Sequence, residues 1–207
     1  MPDFTLKIKY VLSFRSKFNK MKLLVIILFL SCTLFATAQS CLNDTLKQQM
    51  IRDWERAKEY TREYLDAMPA DKYGFRAADS IRSFAEQMLH LSLSDVGLVF
   101  FATGYKDPDV QKLFFKPNFE KTASIQNKDS VMYYVARSYD FAINAVKNTD
   151  FNKLTEMVTQ DMPGGRRSAT RLAWLLKAFE HQTHHRGQCT VYLRLSGIKP
   201  PGEKLFE

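Results

Sequence analysis

Between Leu46 and Leu195 apolar side chains return at three- and four-residue steps in four long runs, and this spacing constrains the fold more than any other feature. The first run is Leu46, Met50, Trp54, Ala57, Thr61, Leu65 and Met68, with Arg52, Glu55, Lys58, Glu59 and Arg62 between them. One helical face collects the first set and the other face carries the charges, so an amphipathic helix is predicted, ended by Pro69. The second run opens at Ser83, where Ser83 and Glu86 have the spacing that lets each side chain satisfy a free backbone N–H at a helix start. From Phe84 to Phe101 this segment is apolar almost all round, as expected of a helix buried between neighbours. Val131, Val135, Tyr139, Ala142 and Val146 predict a third helix, with Lys128, Arg137 and Lys147 outside and an end at Asn148-Thr149-Asp150. A fourth, capped by Ser168 or Thr170, runs through Trp174, Leu175, Phe179 and Tyr192 to Leu195, and Gly197 with Pro200-Pro201 stops it. The segment holding Gly104, Pro108 and Pro117 reads as a loop, and no convincing alternating strand, internal repeat or low-complexity tract is present. The expected fold is all-α, an up-and-down four-helix bundle.

The first 38 residues do not share this pattern. Lys20 and Lys22 precede an apolar run from Leu23 to Leu30, and Ala36-Thr37-Ala38 offers a small-x-small cleavage site before Gln39. Residues 1–38 are therefore read as a secretory signal peptide whose natural start is Met21, and residues 39–207 as one mature domain. The apolar run is too short, and too closely followed by the cleavage site, for a membrane anchor, so no stable membrane span is expected in the mature chain. Cys41 follows Ala38-Gln39-Ser40, a poor lipobox, so simple cleavage is favoured over lipid anchoring. The expected location is periplasmic or extracellular.

The net charge of +8 belongs mostly to that leader: Lys7, Lys9, Arg15, Lys17, Lys20 and Lys22 against Asp3 hold +5 of it and leave +3 for the remainder. The mature part carries no basic run with interleaved aromatics, so no nucleic-acid partner is expected. Cys32 falls in the leader, and Cys41 and Cys189 have no framework spacing, so two free or buried thiols are expected.

All four histidines fall in predicted helices: His90 in the second, and His181, His184 and His185 in the fourth. His181 and His185 sit one turn apart and about 40° apart in rotation, with Cβ atoms roughly 6 Å apart, so both imidazoles can meet one metal ion. A third ligand has to come from another element, and His90 is the remaining histidine, on a helix that must pack against something. His184 lies about 60° from His181 on its other side. It can replace His185 as partner or face solvent, and spacing does not choose between them. Three nitrogens of this kind leave a fourth position for water or substrate. Gly187, in mid-helix, suggests close approach of another backbone.

The string His181-Gln182-Thr183-His184-His185-Arg186-Gly187-Gln188, followed by Tyr192-Leu193-Arg194-Leu195-Ser196-Gly197 and Pro200-Pro201, resembles the C-terminal signature of the DinB/YfiT-like family. Met68-Pro69-Ala70-Asp71-Lys72-Tyr73, Phe75-Arg76 and Ser83-Phe84-Ala85-Glu86 before His90 are similar to the loop and second helix of the same family, so the resemblance spans residues 42–201. It implies a metal-binding bundle of that type, with a divalent ion, often zinc or nickel, held by His90, His181 and His185, and with His184 not among the ligands. It also implies a homodimer, and, by analogy with relatives, transfer of small thiols or thiol-dependent isomerisation.

Two functions follow from these readings. A metal-dependent hydrolase or thiol-type transferase would act on a small-molecule substrate that the sequence does not identify, and an exported setting departs from that of the cytoplasmic thiol enzymes. The alternative is a non-catalytic metal-binding or metal-stabilised bundle in the cell envelope. No carboxylate can be named as general base: Glu180 adjoins His181 but points about 100° away, and Asp95 lies five residues beyond His90. Arg186, Gln188 and Arg194 read as packing or supporting groups.

Overall fold

Ser83 accepts a hydrogen bond from the backbone N–H of Glu86 at 3.2 Å, while the Glu86 carboxylate accepts from the Ser83 N–H at 2.8 Å, so the two side chains close the start of the second helix reciprocally. Local chemistry of this kind sets most of the element boundaries in the computed structural model, which describes residues 22, 28, 39–162 and 164–206. The chain divides into two compact units, Met1–Thr45 and Leu46–Glu207. In the first, residues 39–45 are helical. The expected leader, with its start at Met21 and its cleavage after Ala38, lies outside the described residues apart from Lys22 and Leu28. No helix among the described residues is long and apolar enough to cross a membrane.

The second unit is built on four long helices: α1 (46–67), α2 (Phe84–Thr103), α4 (Lys128–Asn148) and α5 (Arg171–Leu195), with a short α3 (Pro108–Phe114) between α2 and α4. Trp54, Ala57 and Thr61 on α1 lose all solvent contact, while Arg62 stays outside and bonds Glu59 and Asp66. Gly104 ends α2 at φ 69°, a conformation that costs glycine little. Asn127 caps α4 and Thr170 caps α5, each accepting from a backbone N–H three residues on. At the far end of α5, Gly197 at φ 77° lets Ile198 N–H reach the Leu193 carbonyl at 2.9 Å.

Helix directions follow from the cross-helix pairs. Lys58 bonds Asp140 and Thr61 bonds Tyr139, while Lys147 bonds Glu55, so α1 and α4 run antiparallel. Thr61 meets Arg186 and Tyr64 meets Thr190, so α1 and α5 run parallel. Gln87 meets His185 whereas Arg171 reaches the Ala102 carbonyl, so α2 and α5 are antiparallel. In chain order the bundle runs up, down, down, up, and the parallel neighbours α2 and α4 need the long crossing segment 104–127.

Two elements differ from expectation. Part of that crossing is helix α3, which Asp107 caps by accepting from Val110 N–H at 3.1 Å with Pro108 in its first turn. Its seven residues are too few for a periodic pattern. The larger correction is a hairpin: β1 (Met157–Met162) pairs antiparallel with β2 (Gly165–Thr170), from Met157↔Thr170 to Met162↔Gly165, and Gly164 and Gly165 carry the positive φ of its turn. Only Val158, Gln160 and Met162 of β1 are half-buried and β2 is mostly exposed, so the apolar alternation that marks a strand is nearly missing. The Trp174 indole N–H donates to the Val158 carbonyl at 3.1 Å and ties the hairpin to α5.

The core contains one polar cluster. Tyr139 shares a 2.7 Å hydrogen bond with Thr61 and donates to Gln182 Oε1 at 2.9 Å, and Arg186 Nη1 donates to the same oxygen at 2.7 Å. The guanidinium also lies 4.5 Å from the Tyr60 ring centre. Asp95 is fully buried nearby, and neither of its oxygens has a partner among the described residues. Cys189 is buried, and burial pushes its thiol well up; Cys41 is exposed.

Candidate metal centre

Helix α5 turns His181 and His185 toward α2, and α2 brings His90 to meet them. The ring centres of His90 lie 5.3 Å from His181 and 4.7 Å from His185, and the two α5 rings lie 4.3 Å apart. Each histidine offers one ring nitrogen to a cluster whose members all lie within 4.8 Å of one another. Nε2 of His181 and Nε2 of His185 are 3.1 Å apart. A tetrahedral ion bonded to imidazoles at about 2.0–2.1 Å holds neighbouring nitrogens ~3.3 Å apart, so this spacing suits one shared ion.

The remaining ring nitrogens fix the orientation. His90 Nδ1 lies 2.6 Å from Glu120 Oε2, and Arg82 bonds the other oxygen of the same carboxylate at 3.0 Å. Donation from Nδ1–H to Glu120 leaves the His90 Nε2 lone pair free to face the cluster, the carboxylate–histidine arrangement that orients metal ligands. Burial alone would raise the Glu120 pKa, but the hydrogen bonds and charges of His90 and Arg82 outweigh it and hold the carboxyl below its ordinary value. His185 Nδ1 lies 2.7 Å from the Gln87 side-chain amide, which also bonds Gln188. A glutamine amide can present nitrogen or oxygen, so Gln87 can serve either tautomer of His185. His181 Nδ1 is buried without a partner among the described residues.

Burial, and then the charges of His90, His184 and Arg82, pull His181 down to about 4. The same causes, with His181 added, pull His185 down to about 3. Both rings are therefore neutral at ordinary pH, the state in which imidazole donates a lone pair. The donor set fits a borderline transition ion: three imidazole nitrogens, two of the rings held from behind by Glu120 and Gln87, with no carboxylate inside the cluster.

His184 stays outside the group. It is exposed, its Nε2 lies 2.9 Å from the Gln188 side-chain nitrogen, and its ring centre is 4.9 Å from that of His185. Neither carboxylate weighed from sequence stands as a base: Glu180 is exposed and bonded to Lys177, and Asp95 is sealed in the core. Gly187 is also corrected, because it is exposed and a Cβ there would meet nothing within 4 Å, so no close backbone approach explains it. Sequence reasoning missed Glu120, Gln87 and Arg82. Glu120 left one faint trace, as the only glutamate in the segment 104–127.

Two cavities flank the cluster. One of about 610 Å³ is open to His90, His181 and His184 and continues along Leu93, Gly97 and Phe101. The other, about 890 Å³, lies behind the supporting groups Arg82, Gln87, Glu120 and Gln188.

Fold and site together define a helical bundle with a three-histidine donor set open to a cavity. The sequence pattern of the DinB family matches residues 41–205, and the chain belongs to that family. Solved structures agree in fold. A DinB-like protein from Bacillus cereus ATCC 10987 is 18% identical with a TM-score of 0.57, over 75% of this chain and 96% of that one. A conserved protein from Enterococcus faecalis is 19% identical with a TM-score of 0.56, over 72% of this chain and 95% of that one. Among curated proteins no relative matches the chain.

Proposed function

We propose that this DinB-family chain is an exported metal-dependent enzyme, a hydrolase or thiol-type transferase, in which His90, His181 and His185 hold one divalent ion, zinc or nickel. The observation that carries the reading is the convergence of three histidine nitrogens within 4.8 Å, with Glu120 and Gln87 behind two of the rings. When bound, such an ion supplies Lewis acidity and brings the pKa of a coordinated water or thiol toward neutrality.

The chain's own residues supply the rest. Glu120 holds the His90 Nδ1 proton and Arg82 steadies Glu120, so His90 keeps its Nε2 lone pair inward. The cavity beside His90 and His181 gives a substrate room next to two of the three rings. His184 lines the same cavity without belonging to the donor set. Export rests on the leader features of residues 1–38, and a homodimer belongs to the same proposal through the family resemblance.

Metal analysis of the purified mature chain, followed by hydrolysis and thiol-transfer screens of the loaded form, tests the reading. One equivalent of zinc or nickel, with an exchangeable water detected by relaxation after cobalt substitution, is expected. Metal without exchangeable water or turnover would leave a metal-stabilised bundle, and absence of stoichiometric metal would overturn the site.

A further inference from the structure

The cavity beside the histidines has a direction. Its α2 wall is His90, Leu93, Gly97, Leu98 and Phe101, one stripe at helical spacing, and its α5 wall runs back from His184 through His181 and Glu180 to Lys177. Met162 of the hairpin also lines it. Since α2 and α5 are antiparallel, the histidines stand at one end and Phe101 at the other, eleven residues and about 16 Å along the helix. Beyond the histidines the α2 wall and Met162 are apolar, apart from Ser94. The only charged wall groups, Lys177 and Glu180, bond each other and leave no unpaired charge for a second charged group to meet.

Gly97 fits this geometry and no packing demand. A Cβ at Gly97 would meet nothing within 4 Å and its φ is not in the left-handed region, so neither crowding nor turn geometry requires glycine there. A mid-helix glycine is nevertheless unfavourable relative to alanine. What the missing side chain does provide is clear width halfway along the groove.

Resting on the metal reading above, we propose that the substrate is an elongated molecule with an apolar acyl, alkyl or aryl tail, its reactive head at the histidines and its tail lying over Gly97 toward Phe101 and Met162. A volume of about 610 Å³ accommodates a ligand of that size. The hairpin thereby gains a role, since Met162 covers the tail.

Two binding measurements separate this proposal from the metal site itself. In the first, zinc-loaded protein is titrated calorimetrically with acetohydroxamate and its homologues up to octanohydroxamate. Affinity should rise up to ~fourfold per added methylene until the groove is filled. Gly97→Leu, checked by circular dichroism, should flatten that slope for the longer members. In the second, metal-free protein with labelled methionine methyls is titrated with n-octanol. The Met162 methyl resonance should shift saturably in the native chain and respond weakly in Gly97→Leu.

Acetohydroxamate binding with no chain-length gain would overturn the tail proposal and leave the metal site standing. Failure of every hydroxamate together with a saturable, Gly97-dependent octanol response would support the groove and sink the metal reading. An octanol response equal in native protein and Gly97→Leu overturns the groove assignment.

Discussion

Two polar clusters share helix α5 and differ by one residue in register. His181 and His185 face α2, with His181 also lining the cavity, whereas Gln182 and Arg186, one position further on, face α1 and α4. A single step turns the helix about 100°, which is enough to send two i, i+4 pairs into different environments. In the inner cluster Thr61, Tyr139, Gln182 and Arg186 satisfy one another. In the outer one, three ring nitrogens converge while the far sides of His90 and His185 are held by Glu120 and Gln87. Closure within the group marks a cluster that holds the bundle; convergence left open toward a cavity marks one that can take a ligand.

The largest expected effect breaks the outer cluster alone. His90→Ala, His181→Ala and His185→Ala should each abolish stoichiometric metal binding, read as metal content after dialysis against a weak chelator, while His184→Ala keeps it. Helicity should persist in all four. If His184→Ala empties the site and His185→Ala leaves it full, the ligand assignment is wrong. Glu120→Gln probes the support behind His90 and should lower metal affinity about 10- to 100-fold without emptying the site at saturating metal.

Arg186→Met reverses the pattern. It removes the charged donor to Gln182 Oε1 and leaves Tyr139 as the other, a loss that costs about 1.5–3 kcal/mol in urea unfolding. Metal affinity should change little, because Arg186 points away from the rings. A large loss of metal with unchanged stability would erase the distinction between the clusters.

Acid sharpens the comparison in metal-free protein. His181 and His185 titrate near 4 and 3 when folded, against 6.5 for an unperturbed histidine. Between these values the unfolded chain binds protons that the folded chain refuses, so stability is full above pH ~6.5 and falls as pH drops toward 4 and 3. The double variant His181→Asn/His185→Asn should melt with a flatter pH dependence over that window.

What the sequence disclosed depended on whether the signal was periodic. The bundle was legible because apolar returns at Met50, Trp54 and Ala57, or Val131, Val135 and Ala142, have no other simple reading, and because Ser83 and Glu86 advertise a cap. The histidine pair was legible because i, i+4 spacing is a statement about geometry. Glu120 was not, since it reaches His90 from a crossing segment whose path no local pattern encodes. The hairpin was hidden because a two-stranded ribbon on the surface buries little beyond Val158 and Met162. Gln87 looked like one polar interruption in an apolar run, and only the packing of α2 on α5 gives it His185 as a neighbour.

The smallest effect concerns Asp95, a core carboxyl whose oxygens have no hydrogen-bond partner among the described residues. Burial raises its pKa well above the ordinary carboxyl value of 3.8, and the nearby Arg186 charge opposes that only in part. Because the folded pKa is the higher one, the folded chain retains a proton that the unfolded chain releases, so this group's contribution is most favourable below about pH 4 and is lost as pH rises toward the folded value. An asparagine in its place would be neutral at every pH and nearly the same shape, and no hydrogen bond is forfeited because neither Asp95 oxygen has a partner among the described residues. Asp95→Asn should therefore raise the melting temperature modestly at pH 7.5, with the gain vanishing near pH 4. The competing arrangement is an ionised Asp95 that pairs electrostatically with Arg186; the substitution would then destabilise at pH 7.5, most strongly of all where the carboxylate is fully charged. The sign of that one difference decides whether Asp95 stands in the core as a neutral acid beside the Arg186 guanidinium or as its buried ion-pair partner.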